Sequence, residues 1–325
     1  MRNRLLIVIA LLLVLSGCKG GLGQSRGKEL EQVTIAMGFI PNVQFAPMYV
    51  AVERGYFAQE GIEVTLDYGM ETDLLQRVGG NQLQFAIGSG DQVVLARANG
   101  LPVVYAANWY RRFPVCVVSM AAKEINVPQD LVGKTVGIPA MAGASYIGWL
   151  AFLDQVGISP ADVNLQVIGY TQVASLTEDR VDAAVCYALN EPIQLTESGY
   201  PINVFYLDRY THLVSNGIIT NDETIKKDSK LVRAVVRAFL HGLQDTIDDP
   251  DAAFEIAQRM IPEMDDATAG LQQAVLQECV SFWRSDDLGA SRPEEWEESV
   301  SFLRQIGLLS GDLKPETLYT NKFVQ

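Results

Sequence analysis

The sequence is short of the residues that most chemistry needs. It has two histidines, His212 and His241, and four cysteines in 325 residues. No His-Glu-x-x-His pair, Gly-x-Ser-x-Gly elbow, Walker loop or Gly-x-Gly-x-x-Gly fingerprint occurs, which removes the common metalloprotease, hydrolase, phosphotransferase and dinucleotide readings. Basic residues are also scarce: 25 Lys and Arg stand against 39 Asp and Glu, a formal charge of −14. A surface this acidic argues against nucleic acid as a partner and against electrostatic adhesion to anionic lipid. After the first turns of chain, no stretch is long and apolar enough to span a bilayer, which takes about 20 residues. Cys116, Cys186 and Cys279 lack metal-ligand spacing and sit in apolar strand-like or helical runs, so they read as buried structural thiols. The two histidines read as surface or structural residues. No cofactor is expected.

What is present begins at the N-terminus. Met1-Arg2-Asn3-Arg4 precedes an apolar run from Leu5 to Leu15, the charged and hydrophobic regions of an export signal. The run ends in Leu15-Ser16-Gly17-Cys18, which resembles the bacterial lipobox. That resemblance implies cleavage before Cys18, diacylglycerol on its thiol and an acyl chain on the new N-terminus. More than one chain anchors stably where a single one is marginal. Residues 1–17 are then a signal peptide, and 18–32, rich in Gly, Ser and charge, a lipidated flexible tether. Loss of Arg2 and Arg4 takes the formal charge from −14 to −16.

The remaining 290 or so residues suit two modest domains or one large one. Strands are predicted at Val33–Met37, Ile62–Tyr68, Phe85–Ile87, Val103–Trp109 and Val115–Met120, then at Thr135–Ile138, Val163–Ile168, Ala183–Tyr187, Ile202–Tyr206 and Ser215–Thr220. Helices alternate with them, and from Lys230 to Gly307 the pattern is mostly helical. Alternation of this kind predicts an α/β fold of parallel sheets covered by helices. Two such blocks, joined by extended segments at 115–120 and 215–220, predict two lobes and a hinge: lobe 1 from 33–118 plus 217–325, lobe 2 from 119–216.

In open parallel sheets, ligands bind beyond the C-terminal ends of the strands. The polar and aromatic residues expected there are Phe39, Asn42, Gln44 and Phe45 after the first strand, and Ser89 and Asp91 after the third. Trp109 and Tyr110 adjoin the hinge, Ser145 and Tyr146 open a helix, and Tyr187, Asn190 and Glu191 follow the strand 183–187. Each has a plainer role available: Ser89 or Asp91 as a helix cap, Asn42 as a turn residue, Trp109 as hinge packing, Glu191 as a solvated turn residue before Pro192. Aromatic walls with a few hydrogen-bonding side chains suit a flat heterocycle. Arg111 and Arg112 are the exceptions to a lack of basic residues that counts against phosphate, sulfate or carboxylate as the main group recognised.

The run Gly38-Phe39-Ile40-Pro41-Asn42, then Met48-Tyr49-Val50-Ala51-Val52-Glu53-Arg54-Gly55-Tyr56-Phe57-Ala58-Gln59-Glu60-Gly61-Ile62-Glu63-Val64, is similar to the opening of solute-binding proteins of ABC importers. The branch is the one related to thiamine-pyrimidine synthases and binding proteins. Phe85-Ala86-Ile87-Gly88, Leu131-Val132-Gly133-Lys134-Thr135-Val136-Gly137, Val181-Asp182-Ala183-Ala184 and Asn190-Glu191-Pro192 extend the resemblance in order over most of 33–325. It implies a two-lobed periplasmic-binding-protein fold, type II-like, closing on a ligand in the cleft and delivering it to an ABC permease. The branch binds hydroxymethylpyrimidine-type thiamine precursors, and a related subgroup binds riboflavin. Phe39 stands where the pyrimidine binders show Trp, and Val43-Gln44-Phe45 also departs from them, which favours riboflavin. The synthases' pocket histidine and cysteine-rich motif are not visible, so a binding protein is expected, not an enzyme. Within the resemblance, Phe39 and Trp109 stack on the ring, while Asn42, Gln44, Asn190 and Glu191 bond its edge or the ribityl hydroxyls. Ser89, Asp91 and the backbone near Ser145 take the remaining polar groups. The chain is expected to act as a monomer, held at the extracytoplasmic face of the cell membrane. A lipid-anchored sensory or scaffold module is the third reading.

Overall fold

A computed structural model describes residues 30–324 apart from Glu263 and Asp265. The signal peptide, Cys18 and the tether up to residue 29 lie outside the described residues.

The chain starts with β1 (Glu31–Ala36), α1 (Ala46–Glu53), the single turn α2 (Tyr56–Gln59), β2 (Ile62–Asp67), α3 (Glu71–Gly79), β3 (Phe85–Ser89), α4 (Gly90–Ala98) and β4 (Val103–Asn108). It continues with β5 (Val115–Met120), β6 (Thr135–Ile138), α5 (Gly143–Gln155), β7 (Asn164–Val167), α6 (Gln172–Thr177), β8 (Ala183–Tyr187), α7 (Glu191–Glu197) and β9 (Ile202–Tyr206). Then follow β10 (Asn216–Asn221), α8 (Asp222–Lys227), α9 (Ser229–Asp248), α10 (Pro250–Met260), α11 (Asp266–Trp283) and α12 (Pro293–Gln305).

These strands form two five-stranded sheets, ordered β2-β1-β3-β10-β4 and β7-β6-β8-β5-β9. In the first, β1 runs parallel to β2 and β3; in the second, β6 runs parallel to β7 and β8. Each sheet also holds one antiparallel strand, and that strand is the one arriving from the other lobe: β5 between β8 and β9, β10 between β3 and β4. The molecule is therefore a two-lobed α/β protein, as the alternation of strands and helices predicts. β3 and β4 are buried along their whole length and carry no polar side chain before their last residues, Ser89 and Asn108, as strands covered on both faces do.

Two boundaries differ from the sequence reading. β1 starts at Glu31, so the tether does not extend to Gln32; both residues already pair with Ile62 and Glu63. Their side chains are exposed, and polar residues at the overhang of a strand hide it from a hydrophobicity pattern. β5 belongs wholly to the second sheet, so the first crossing lies at 109–114 and not after 118. The run Val115-Cys116-Val117-Val118 announces a strand, but an all-apolar strand carries no mark of which sheet it joins. The return crossing ends by Asn216, which pairs with Ser89.

The C-terminal helices pack on lobe 1. α9 carries Leu231, Val232, Val235, Phe239 and Leu243 at helical spacing, all buried against α1 and its neighbours. Cys116, Cys186 and Cys279 are fully buried and unpaired, although Cys116 and Cys186 face one another across β5 and β8. A glycine forced by geometry shapes the approach to the cleft. Gly38, on the turn leaving β1, has φ of +63° and a Cβ there would meet the Ile87 carbonyl oxygen at 2.7 Å. That turn delivers residues 39–45 to the cleft.

Candidate functional site

A cavity of about 910 Å³ opens between the lobes at the C-terminal ends of their parallel strands. Lobe 1 lines it with the loop after β1, Met70 and Glu71 after β2, Ile87 and Gly88 at the end of β3, and Trp109 and Tyr110 at the first crossing. Lobe 2 supplies Pro139, Ala140 and Ala142 to Ser145 after β6, Tyr170 to Ala174 after β7, and Tyr187, Asn190, Glu191 and Gln194 after β8. Among the described residues no lysine, arginine or histidine is on the lining, and the charged residues there are Glu71, Glu178 and Glu191. Among the described residues no cluster of His, Cys, Asp or Glu is arranged to hold a metal, and no helix is long and apolar enough to cross a membrane.

Phe39, Asn42, Gln44, Phe45, Trp109, Tyr110, Ser145, Tyr187, Asn190 and Glu191 come together on the cavity wall. They are not equivalent. Phe39 is 37% exposed, and its ring lies 5.7 Å from that of Tyr170, on the opposite lobe, which is 64% exposed. Trp109 is 1% exposed and hemmed by the rings of Phe45, Tyr110, Phe239 and Trp283 at 5.2–6.1 Å, so it forms floor rather than a free stacking face. Asn42 is spent locally: its side chain accepts from the Gln44 N–H at 2.9 Å and donates to the Ile40 carbonyl at 2.8 Å. Glu191 is buried and accepts from the Tyr187 N–H at 2.8 Å and Asn190 Nδ2 at 3.3 Å. Burial holds its carboxyl above the usual range. It opens α7, with Pro192 next, and is not the solvated turn residue of the plainer reading. Asn190 in turn accepts from Gln194 at 2.7 Å.

The polar side chains left open to the cavity are others. Gln44 takes only a long hydrogen bond, 3.4 Å, from the Tyr110 hydroxyl. Gln172, 4% exposed, and Ser145 line the cavity, and neither side chain pairs with another described residue. Ser145 lies in the first turn of α5, whose N-cap residue Ala142 offers no side-chain cap, so backbone N–H groups there are also free. The Tyr187 hydroxyl accepts from Asn216 Nδ2 at 3.0 Å, joining β8 to β10 across the lobes, and burial pushes its ionisation well up.

Three expected residues are off the lining. Ser89 gives its N–H and hydroxyl hydrogens to Glu71, at 2.6 and 2.9 Å. Asp91 is wholly buried in the first turn of α4, where Gln92 donates to it at 2.6 Å. Tyr146 packs on the lobe 2 core, because one helical step turns it about 100° away from Ser145. Arg111 binds Glu295 and the Asn108 side chain, and Arg112 binds Asp208 and lies 3.9 Å over the Phe282 ring; neither lines the cavity. Sequence reading missed Glu71, Tyr170 and Gln172. The strand-end rule that found Phe39 and Tyr187 also covers the segments after β2 and β7, where these three lie.

The family described as NMT1/THI5 like matches residues 42–253. The riboflavin-binding protein RibY of Chloroflexus aurantiacus is 42% identical over 303 residues, 91% of this chain and 86% of that one. The formylaminopyrimidine-binding protein of Halalkalibacterium halodurans is 28% identical, covering 92% of both chains. A 4-amino-5-hydroxymethyl-2-methylpyrimidine phosphate synthase of Legionella pneumophila is 22% identical over 90% of this chain and 92% of that one. Among solved structures, the periplasmic aliphatic sulphonate binding protein SsuA of Escherichia coli superposes with a TM-score of 0.72 at 13% identity, covering 89% of this chain and 91% of that one. That likeness is one of fold. By family match and by identity along nearly its whole length, the chain belongs to the NMT1/THI5-like family.

Proposed function

We propose that this protein captures riboflavin outside the cytoplasm and hands it to the permease of an ABC importer, held at the membrane meanwhile by the lipid on Cys18. It works as a monomeric small-ligand binding protein, without catalysis. The observation that carries the reading is a cavity of about 910 Å³, walled by aromatic rings from both lobes and lined by no basic side chain. That volume lies in the upper range of small-molecule sites. A lone pyrimidine ring, the alternative ligand, would leave much of it empty. An isoalloxazine uses both the aromatic walls and the amides of Gln44 and Gln172. Identity of 42% with a riboflavin-binding protein supports the same ligand. Neither His212 nor His241 lines the cavity, which supports binding over synthase chemistry.

The lack of a base makes the reading testable with one pair of ligands. Riboflavin 5′-phosphate differs from riboflavin by a dianion, which Glu71, Glu178 and Glu191 would repel and no cation would neutralise. Equilibrium titration should show the phosphate ester binding at least about tenfold more weakly, the equivalent of 1.4 kcal/mol. Equal or tighter binding of the ester would overturn the reading.

A further inference from the structure

Glu71 is held in the cavity wall in an unusual way. It opens α3 and lines the cavity. Its Oε1 accepts twice from one residue, the Ser89 N–H at 2.6 Å and the Ser89 hydroxyl at 2.9 Å. Ser89 is the N-cap residue of α4, so the carboxylate also meets the positive end of a nine-residue helix. Gly88 makes the room: a Cβ there would lie 2.8 Å from Glu71 Oε1 and 2.9 Å from Ile219 Cδ1. Any side chain at 88 would displace the carboxyl. The second oxygen, Oε2, has no hydrogen-bond partner among the described residues, and no cation lines the cavity to supply one. That oxygen is open to the cavity, where a donor on a bound ligand can reach it.

We infer that Glu71 selects the ligand: its free oxygen accepts a hydrogen from a ring N–H or hydroxyl of the bound heterocycle, so that molecules without a donor at that point are rejected. This rests on the riboflavin reading, and it names what that reading leaves open. Riboflavin has such donors in its ring imide and its ribityl hydroxyls.

The groups around Glu71 make the contact depend on pH. Asp91, from α4, is wholly buried, and its Oδ1 has no partner among the described residues. Tyr187, from β8 of the other lobe, feels the Glu71 and Asp91 charges. Glu178 and Glu191 line the lobe 2 side. Burial first, and the neighbouring Asp91 charge second, push the Glu71 carboxyl up to about 7. Below that pH the free protein holds Glu71 protonated, and accepting the ligand's hydrogen requires losing that proton. Affinity is therefore about half its maximum near pH 7, close to full about one unit above it, and falls by up to about tenfold per pH unit below it.

The experiment is a riboflavin titration of the full-length chain from pH 5.5 to 8.5, with thermal melts at each pH to show that the protein measured is folded. Wild type should weaken as pH falls through about 7. Glu71→Gln keeps the Ser89 bonds on its carbonyl oxygen and points an NH₂ where an acceptor is needed. It should bind at least about tenfold more weakly at pH 8 and show a flat profile. Asp91→Asn removes the neighbouring charge and should move the wild-type midpoint to lower pH. A flat wild-type profile, affinity rising as pH falls, or Glu71→Gln binding like wild type at pH 8 would each overturn the inference while leaving the riboflavin reading standing. Riboflavin failing to bind at every pH would overturn both.

Discussion

Replacing Trp109 with alanine should destabilise the fold by about 3–5 kcal/mol, the range for deleting a buried aromatic. Four aromatic rings surround the indole, from α9, α11, the crossing and the loop after β1. None of them can follow a vacated volume without leaving its own contacts, so a cavity would remain. The indole Nε1 is buried without a hydrogen-bond partner among the described residues, so the loss is one of packing and not of a polar network. Because Trp109 sits where lobe 1 hands over to lobe 2, the same change should weaken ligand binding only as a consequence of loosened walls. Urea denaturation of the purified variant measures this, through a lower midpoint at unchanged slope. A loss below about 1 kcal/mol would show that the ring is less tightly packed than its 1% exposure implies.

The opposite behaviour is expected for Phe39 and Tyr170. Both rings are exposed, one on each lobe, and their centroids are 5.7 Å apart at an angle of 53°. They close on one another from opposite sides of the cavity mouth and offer faces that a flat ligand can stack on. Removing a stacking ring costs about 1–3 kcal/mol per base in nucleic-acid sites, which transfers to a flat heterocycle. The double variant Phe39→Ala with Tyr170→Ala should therefore weaken riboflavin binding at least about 30-fold. Its stability should stay within about 0.5 kcal/mol of wild type, as for other surface changes. The rings touch, so the single substitutions should not add up to the double. Calorimetric titration of all three variants checks this, and a double variant within about threefold of wild type would remove both rings from the site.

These two expectations keep Phe39 in the stacking role read from the sequence and put Tyr170 where that reading places Trp109. An aromatic residue at the end of a strand is legible as sequence; whether its face is covered depends on what packs over it. For Trp109 the covering rings Phe239 and Trp283 come from helices more than a hundred residues later. Asn42, Asn190 and Glu191 show the same limit for polar groups. Their types and positions were readable, but their hydrogen bonds to neighbours are fixed by the turn after Pro41 and by the turn from Tyr187 to Asn190 that leads into α7. All ten strands were legible, because each is a run of apolar or alternating residues bounded by turn signals. The sheet that β5 joins was not, since pairing is a long-range choice. Tyr170, Gln172 and Glu71 were reachable by the strand-end rule; they were missed because β7 is mostly exposed and β2 carries polar alternation, so neither looked like a strand pointing at a buried site.

One uncharged, flat, multi-ring ligand should fill a cavity that no basic side chain of the described residues lines. A fluorescence titration of the chain with riboflavin, run beside a hydroxymethylpyrimidine, tests it most directly. Saturable quenching at micromolar riboflavin, with the pyrimidine binding more weakly, is the result expected here. No quenching by riboflavin at that concentration, together with tight binding of the pyrimidine, would contradict it.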